Sequence, residues 1–335
     1  MIRLISTAIA HPNKAIVIYW GNSDDRLNLP SRTSLSMTLQ GADRPLDYTV
    51  TMQTSGAIVA DKVIIDGKED TGQIYSEIAR HVGAMRDITG FREKLVISTR
   101  ATFPVGSGLA GSAAAASALA EAFAAITGGE IDRKTISMMA RRGSGSAARS
   151  VFGGFVRLDK GERGQSFATQ LFDENHWDLR DVIAVVDAGP KKVKSSDGMR
   201  LSARTCPAEI YTGFVGAAEA SVLEVQDAIE SRDVRALGEI YEFDNALFRE
   251  VCVNTEPPLD YWTKATAEVF NAVTALRSEG MAVFAGTDAG PNVHVICEPT
   301  DTGKLIEELR KIEGVRDIIH ARPGGPSQRS DAHLA

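Results

Sequence analysis

Short apolar runs separated by turn-rich polar pieces dominate the first hundred residues. "AIVIYW", "YTVTM" and "KLVISTR" are β-branched or aromatic, so residues 1–103 read mainly as strands. The pattern then changes. Leu119, Phe123 and Ile126 recur at helical spacing ahead of a Gly128-Gly129 stop, which predicts a helix over Leu109–Thr127. Its alanines would let it pack closely against a sheet. A second helix is expected around Arg133–Arg142, and "GSGSAARSVFGGFVRL" reads as a loop, a short helical turn and a strand. "VIAVVDAG" then opens a second segment as a buried strand. Residues 207–279 are mostly helical by periodicity, with a break at "NTEPPL", and "MAVFAGTDAGPNVHVIC" reads as a hairpin. Strands, helices and strands again in each half indicate an α+β fold, because strand and helix do not alternate as in a parallel sheet. Two domains are expected, 1–180 and 181–335.

Composition narrows the function classes. With 335 residues and 43% apolar content, two modest cores are the better expectation. A formal net charge of -7 argues against nucleic acid as partner, since that needs a basic face to displace counterions. Small anions need only local positive charge. Cys206, Cys252 and Cys297 are odd in number, widely spaced and without a ligand-like pattern, which suggests neither a disulfide framework nor zinc and fits a reducing cytoplasm. No run approaches a membrane span, and Met1–Gly21 has polar breaks where a signal peptide would be apolar. The end, "RPGGPSQRSDAHLA", is expected to fray.

Four segments could carry chemistry. In "PVGSGLAGSAAAASALA" the glycines Gly106, Gly108 and Gly111 free backbone amides ahead of a helix, and Ser107 and Ser112 offer hydroxyls to phosphate or hydrated magnesium. The stretch lacks a P-loop's Gly-Lys-Ser/Thr ending, and a tight strand-to-helix turn is the alternative. In "RRGSGSAARS", Ser144, Gly145, Ser146 and Arg149 lie within a turn or two, so Arg149 could pair two-fold with a carboxylate or phosphate. Arg141 and Arg142 beside them read as a solvated basic patch. Asp288 in "GTDAGPN" either bonds its own turn or acts as a base, if it shares a cavity with an arginine and a phosphate. "KKVKSSDGM" carries Lys191, Lys192, Lys194, Ser195 and Ser196, and its lysines read as a charged surface loop.

Together, "HPNKAIVIYWG", "FPVGSGLAGSAAA", "GSGSAARSVFGGFV", "KKVKSSDGM" and "TDAGPN" resemble, in order and over nearly the whole chain, the mevalonate diphosphate decarboxylases of the GHMP kinase superfamily. The resemblance implies a GHMP fold with an ATP-binding domain at 1–180, a C-terminal α+β domain at 181–335, and a phosphorylated mevalonate between the lobes. ATP and Mg2+ would be required, and a homodimer is expected. In such enzymes the 3-hydroxyl is phosphorylated, then phosphate and carbon dioxide leave. By position, Asp288 matches the aspartate that orients or deprotonates that hydroxyl, and Arg149 the arginine gripping the carboxylate and phosphate region. Ser144, Gly145 and Ser146 match the substrate-phosphate loop, Tyr19 a neighbouring phosphate contact, and Ser195 a hydroxyl near the carboxylate. Pro104, Gly106, Ser107, Gly108, Leu109, Gly111 and Ser112 match the ATP-phosphate loop, with Ser112 as the magnesium-side hydroxyl.

Two positions depart from the family. Its Lys-Tyr-Trp-Gly-Lys reads "IYWGN" here, so Ile18 and Asn22 stand where lysines are expected. Neutral Asn22 at the distal phosphate suggests a shorter substrate, 5-phosphomevalonate, giving isopentenyl phosphate. The 5-diphosphate, a 3-kinase without decarboxylation and a non-catalytic binding protein are the alternatives. For the cation lost at Ile18, Lys14, on the same strand face by alternation, or Lys191 and Lys192 are the candidate substitutes.

Overall fold

The computed structural model describes residues 4–103, 110–161, 166–187, 189 and 192–334. The chain opens with β1 (Ile5–Ala10), β2 (Asn13–Val17), β3 (Asn22–Asp24), β4 (Leu29–Pro30), β5 (Ser34–Gly41), β6 (Tyr48–Thr54), β7 (Lys62–Ile65) and β8 (Lys68–Asp70). It continues with α1 (Gln73–Thr89), β9 (Leu95–Ala101), α2 (Gly111–Ile126), α3 (Arg133–Gly143), α4 (Ala147–Ser150), β10 (Phe155–Leu158) and β11 (Ala168–Phe172). The second half runs β12 (Arg180–Val185), α5 (Ser195–Thr205), α6 (Ala208–Ser231), α7 (Val234–Val253) and α8 (Lys264–Ser278). It ends with β13 (Phe284–Thr287), β14 (Val293–Cys297), α9 (Thr302–Arg310), β15 (Asp317–Pro323) and β16 (Gln328–Ser330).

One sheet has the order β16-β1-β6-β9-β7-β8, antiparallel except for the β7–β9 pair. The other, β11-β10-β5-β15-β12-β14-β13 with β2 alongside β5, is antiparallel throughout. The fold is thus α+β, as the grouping of strands and helices within each half predicts. Because β5 pairs with β15, this sheet runs through both halves of the chain.

The alanine-rich α2 is the centre of the first core. Nearly all its residues are buried, against β1, β6, α3 and α4. Small side chains bring its backbone so near the sheet that the Ser6 hydroxyl on β1 donates to the Ala122 carbonyl at 2.8 Å. A second core lies where α8 and α9 bury Val269, Val273, Leu305 and Leu309 against Val182 and Val293 of the sheet.

Three expectations need correction. Residues 73–89 form a helix amid the predicted strands, burying Ile78, His81, Val82 and Met85. The segment read as a surface loop becomes α5 from Ser195 onward. The tail is tied down, because β16 occupies the free edge of β1, the Leu334 amide donates to Thr51 Oγ1 at 2.8 Å, and His333 Nδ1 lies 2.7 Å from Thr7 Oγ1. An open strand edge satisfies the tail's backbone, and ahead of it the Gly324 amide donates to the Thr38 carbonyl while its carbonyl accepts from the Gly154 amide. Cys206, Cys252 and Cys297 are free and buried. Among the described residues no helix is long and apolar enough to cross a membrane.

Candidate active site

β2 is buried along its whole length, and its two faces serve different walls. Asn13 and Ala15 line a cleft that also gathers Tyr19, Ser112, Ser144, Gly145, Ser146, Arg149, Ser195 and Asp288. Lys14 points the other way, its ammonium 5.4 Å from the centre of the Tyr241 ring on α7. Simple alternation would put residue 18 on the Lys14 face. A register shift between Ala15 and Val17 breaks the period, and Ile18 lines the cleft instead. The expectation of a shared face for Lys14 and Ile18 is therefore corrected. α7 helps to fix the break, since Asp244 Oδ2 accepts from the Ile18 amide at 2.7 Å.

Arg149 is 1% exposed, and its hydrogen-bond partners Ser36, Ser34 and Asn13 are neutral. Its guanidinium donates to Ser36 Oγ at 2.8 Å, Ser34 Oγ at 2.6 Å and Asn13 Oδ1 at 3.1 Å. Burial pulls it down to about 10, with the charges of Asp288 and Tyr19 opposing, so it stays a cation at neutral pH. Its charge is oriented by neutral oxygens and is left to attract an anion in the cleft. Ser34, Ser36 and Asn13 were not singled out in the sequence. The alternation in "SLSM", with every residue buried, is the signal that marks the serines.

Asp288 does not follow the plain-turn alternative. Its Oδ1 accepts from Lys14 Nζ at 2.7 Å, with the lysine side chain 0% and the carboxylate 20% exposed. The loop carrying it is pinned at both ends. Asn245 on α7 donates to the Thr287 carbonyl at 2.7 Å and accepts from its amide at 3.2 Å, while Asn292 Oδ1 accepts from the Val186 and Asp187 amides at 2.9 and 3.1 Å.

At the other end of the cleft, burial pushes the Tyr19 hydroxyl well above its usual range, against the pull of Arg141 and Arg149. Tyr19 donates to Asn22 Oδ1, and Asn22 Nδ2 donates to Asp25 Oδ1 at 3.0 Å. Asn22 stands behind Tyr19 and is not among the lining residues. Gly145 is required here, because a Cβ would fall 2.1 Å from the Tyr19 hydroxyl. The solvated basic patch is half right. Arg142 is partly exposed, but Arg141 is 3% exposed, and its Nε and Nη1 find no hydrogen-bond partner among the described residues.

Ser112 and Ser195 sit in the first turns of α2 and α5, neither of which has a side-chain cap. Helix N-termini of this kind suit anions. Ala110, ahead of α2, adopts a left-handed φ of 48°. Pro104, Gly106, Ser107, Gly108 and Leu109 of the glycine loop lie outside the described residues, as does Lys191. Lys192 is exposed, and Lys194 pairs with Glu77 at 2.6 Å, as surface lysines would. Among the described residues no cluster of His, Cys, Asp and Glu could hold a metal ion. A larger cavity of about 780 Å³, between α8 and the chain before β15, reaches neither Asp288 nor Arg149.

The α+β body, with residues from both halves of the chain around one cleft, has the GHMP fold. Comparison with known proteins narrows the class. Residues 10–169 match the diphosphomevalonate decarboxylase-like N-terminal domain, and residues 181–330 the mevalonate 5-diphosphate decarboxylase C-terminal domain. The diphosphomevalonate decarboxylase of Bos taurus is 33% identical over 330 residues, covering 92% of this chain and 80% of the relative. That of Homo sapiens is 34% identical over 305 residues, covering 85% and 75%. The crystal structure of the Staphylococcus aureus enzyme superposes with a TM-score of 0.91 at 27% identity, covering 98% of this chain and 99% of that one. The Enterococcus faecalis enzyme gives 0.89 at 27%, covering 99% and 100%. The chain belongs to the diphosphomevalonate decarboxylase family.

Proposed function

We propose that the protein uses ATP to phosphorylate the 3-hydroxyl of a mevalonate phosphorylated at C5, then releases phosphate and carbon dioxide to leave an isopentenyl product. The observation that carries this reading is the placement of Asp288 and Arg149 in one cleft, the first paired with Lys14 and the second held by neutral oxygens. Asp288 receives the hydroxyl proton as the oxygen attacks the terminal phosphorus and ADP leaves. The C3–O bond then breaks, and the electrons of the C–carboxylate bond become the new double bond as carbon dioxide departs. Arg149 holds the substrate carboxylate and neighbouring phosphate. Tyr19, Ser144, Gly145, Ser146 and Ser195 form the rest of the substrate pocket. The glycine loop and Gly111 would hold the ATP phosphates, and Ser112 would offer its hydroxyl to Mg2+ bound with them, an ion that would supply charge neutralisation during phosphoryl transfer.

The 5-diphosphate is the better-supported substrate. The relatives are diphosphomevalonate decarboxylases, and a similar structure, 28% identical with a TM-score of 0.90, is a complex with MVAPP, AMPPCP and magnesium. One observation favours the 5-monophosphate, with Asn22 at the distal-phosphate position. That side chain is neutral and already engaged by Tyr19 and by the acidic Asp25. We assign the ATP-binding lobe to residues 1–180 and its partner lobe to 181–335. The buried free cysteines accord with a cytoplasmic setting, and the homodimer rests on the family resemblance.

Parallel assays with ATP, Mg2+ and mevalonate, its 5-phosphate or its 5-diphosphate, reading phosphate and carbon dioxide, test the proposal. Fastest turnover of the diphosphate is expected, and a large preference for the monophosphate replaces it with the second reading. A stable 3-phosphorylated product without carbon dioxide means a kinase. No ATP turnover with any of them means a binding protein.

A further inference from the structure

We propose that Arg141 is a specificity-determining residue: from behind Tyr19 its charge favours a substrate that carries a second phosphate on C5, and it takes no part in the reaction at C3. This rests on the reading of the cleft as the site of a phosphorylated mevalonate. Three observations carry it. Arg141 is 3% exposed, yet its Nε and Nη1 find no hydrogen-bond partner and its guanidinium no ion pair among the described residues. The hydroxyl of Tyr19, on the cleft wall, lies 3.1 Å from the Asn28 carbonyl, and Asn28 Nδ2 donates to the Arg141 and Arg142 carbonyls at 3.0 and 3.1 Å, so Asn28 ties Tyr19 to the end of α3. Arg141 stands in the last turn of α3, which runs directly into Ser144, Gly145 and Ser146 on the wall of the same cleft.

The groups around Arg141 support the assignment. Two cations act on the Tyr19 hydroxyl, Arg141 more strongly than Arg149, while Asp25, held by Asn22 Nδ2 at 3.0 Å, acts on it with negative charge. Arg141 thus offsets an acid that would repel a phosphate beyond Tyr19. Arg142 adds positive charge beside it. Asp24 opposes it, but its Oδ1 already accepts from the Arg26 and Leu27 amides at 2.9 and 3.0 Å. Burial pulls the Arg141 guanidinium below the usual arginine range, with Tyr19 and Asp24 opposing, and an arginine so placed remains a cation. The end of a helix favours a cation, but Arg142 has that benefit while partly exposed, so the helix end does not account for the burial of Arg141. A buried charge without a counter-ion is costly, and a second phosphate in the cleft relieves that cost.

The test compares the full-length wild type with Arg141→Met and Arg141→Lys. Calorimetric titration with inorganic pyrophosphate and with phosphate is expected to show the wild type preferring pyrophosphate by about tenfold or more, Arg141→Met by less than about threefold, and Arg141→Lys close to the wild type because the charge persists. In steady-state kinetics Arg141→Met should raise KM for the 5-diphosphate about 30-fold and KM for the 5-phosphate about threefold, with kcat for both within about threefold of the wild type, as expected when binding alone is lost. In urea it should be at least as stable as the wild type, since an unpaired buried charge has gone, whereas an arginine with a merely structural role would take stability with it. An unchanged pyrophosphate preference in Arg141→Met, a wild type without that preference, or an equal rise in KM for both substrates overturns the proposal. If Arg141→Met does not fold, Arg141→Gln replaces it, and failure of both to fold makes the residue structural and overturns the proposal as well. The titrations decide independently of turnover. Loss of the preference in a protein without decarboxylase activity upholds the role of Arg141 and removes only the substrate reading, and decarboxylation with the preference unaltered removes only the role of Arg141.

Discussion

Two buried ion pairs secure the same stretch of chain, and their carboxylates look in different directions. Asp244 and Arg32 meet at 2.6 Å with both side chains 0% exposed, and the other Asp244 oxygen accepts from the Ile18 amide. Arg32 is stacked over the Phe214 ring at 3.7 Å, and its Nε and Nη1 have no hydrogen-bond partner among the described residues. Lys14 and Asp288 make an equally short contact, but there the carboxylate opens onto the cleft. A closed pair with unsatisfied donors is a poor source of net stability; what it supplies is a fixed backbone, here the bulge that turns Ile18 into the cleft. In the open pair the carboxylate is 20% exposed and lines the cleft, where a ligand can meet it. Ionic contact alone does not distinguish scaffold from chemistry, whereas the exposure of the acidic partner does.

Breaking each pair in turn should give opposite results. Asp288→Asn is expected to lower kcat about 1000-fold while costing only about 1 kcal/mol of stability, because asparagine still offers Lys14 an acceptor. Asp244→Asn should cost about 3 kcal/mol in urea unfolding, by leaving Arg32 buried without its counter-charge. Its folded fraction should keep kcat within about tenfold of wild type, the remaining loss reflecting a looser Ile18. Steady-state kinetics beside unfolding curves decide the matter, and the comparison fails if Asp244→Asn costs more kcat than Asp288→Asn.

The same division marks what was legible in the sequence. α2, α3 and the β13–β14 hairpin follow from spacing and glycine stops, which are local. Asp288, Arg149 and Ser144–Ser146 stand at motif positions and meet in one cleft. Lys14 was visible as a candidate, but its direction depends on a bulge fixed by Asp244, a residue 226 positions away from Ile18. Arg141 and Arg142 look alike as neighbours, yet successive helical residues point about 100° apart, so one is buried and the other partly exposed. α1 does not stand out in the sequence, because exposed Ile74 and Ile88 blur the stripe formed by its buried Ile78, His81, Val82 and Met85.

A buried ionisable group with no ionic partner sharpens the comparison further, and His81 is one. It lies behind the loop that follows α3, where a Cβ on Gly143 would fall 2.4 Å from its Nδ1, and its Nε2 is 2.8 Å from the Met139 carbonyl. Burial lowers it from 6.5 to about 4, with the Met139 carbonyl opposing and the charges of Arg80 and Arg142 adding to the shift. Between those two values the unfolded chain holds the proton that the folded chain refuses, so acid favours unfolding. The contribution is fully present above 6.5 and is lost as pH falls toward 4. Between pH 7 and pH 5 it amounts to about 2 kcal/mol. In His81→Gln the amide nitrogen can still reach Met139 and no proton is taken up, so the fall in stability between these pH values should shrink by about that amount. Urea unfolding of both proteins at pH 7 and pH 5 measures the difference. Equal pH dependence in the two would mean that His81 opens to water before it is protonated, and that the back of this loop is less closed than its packing against Gly143 indicates.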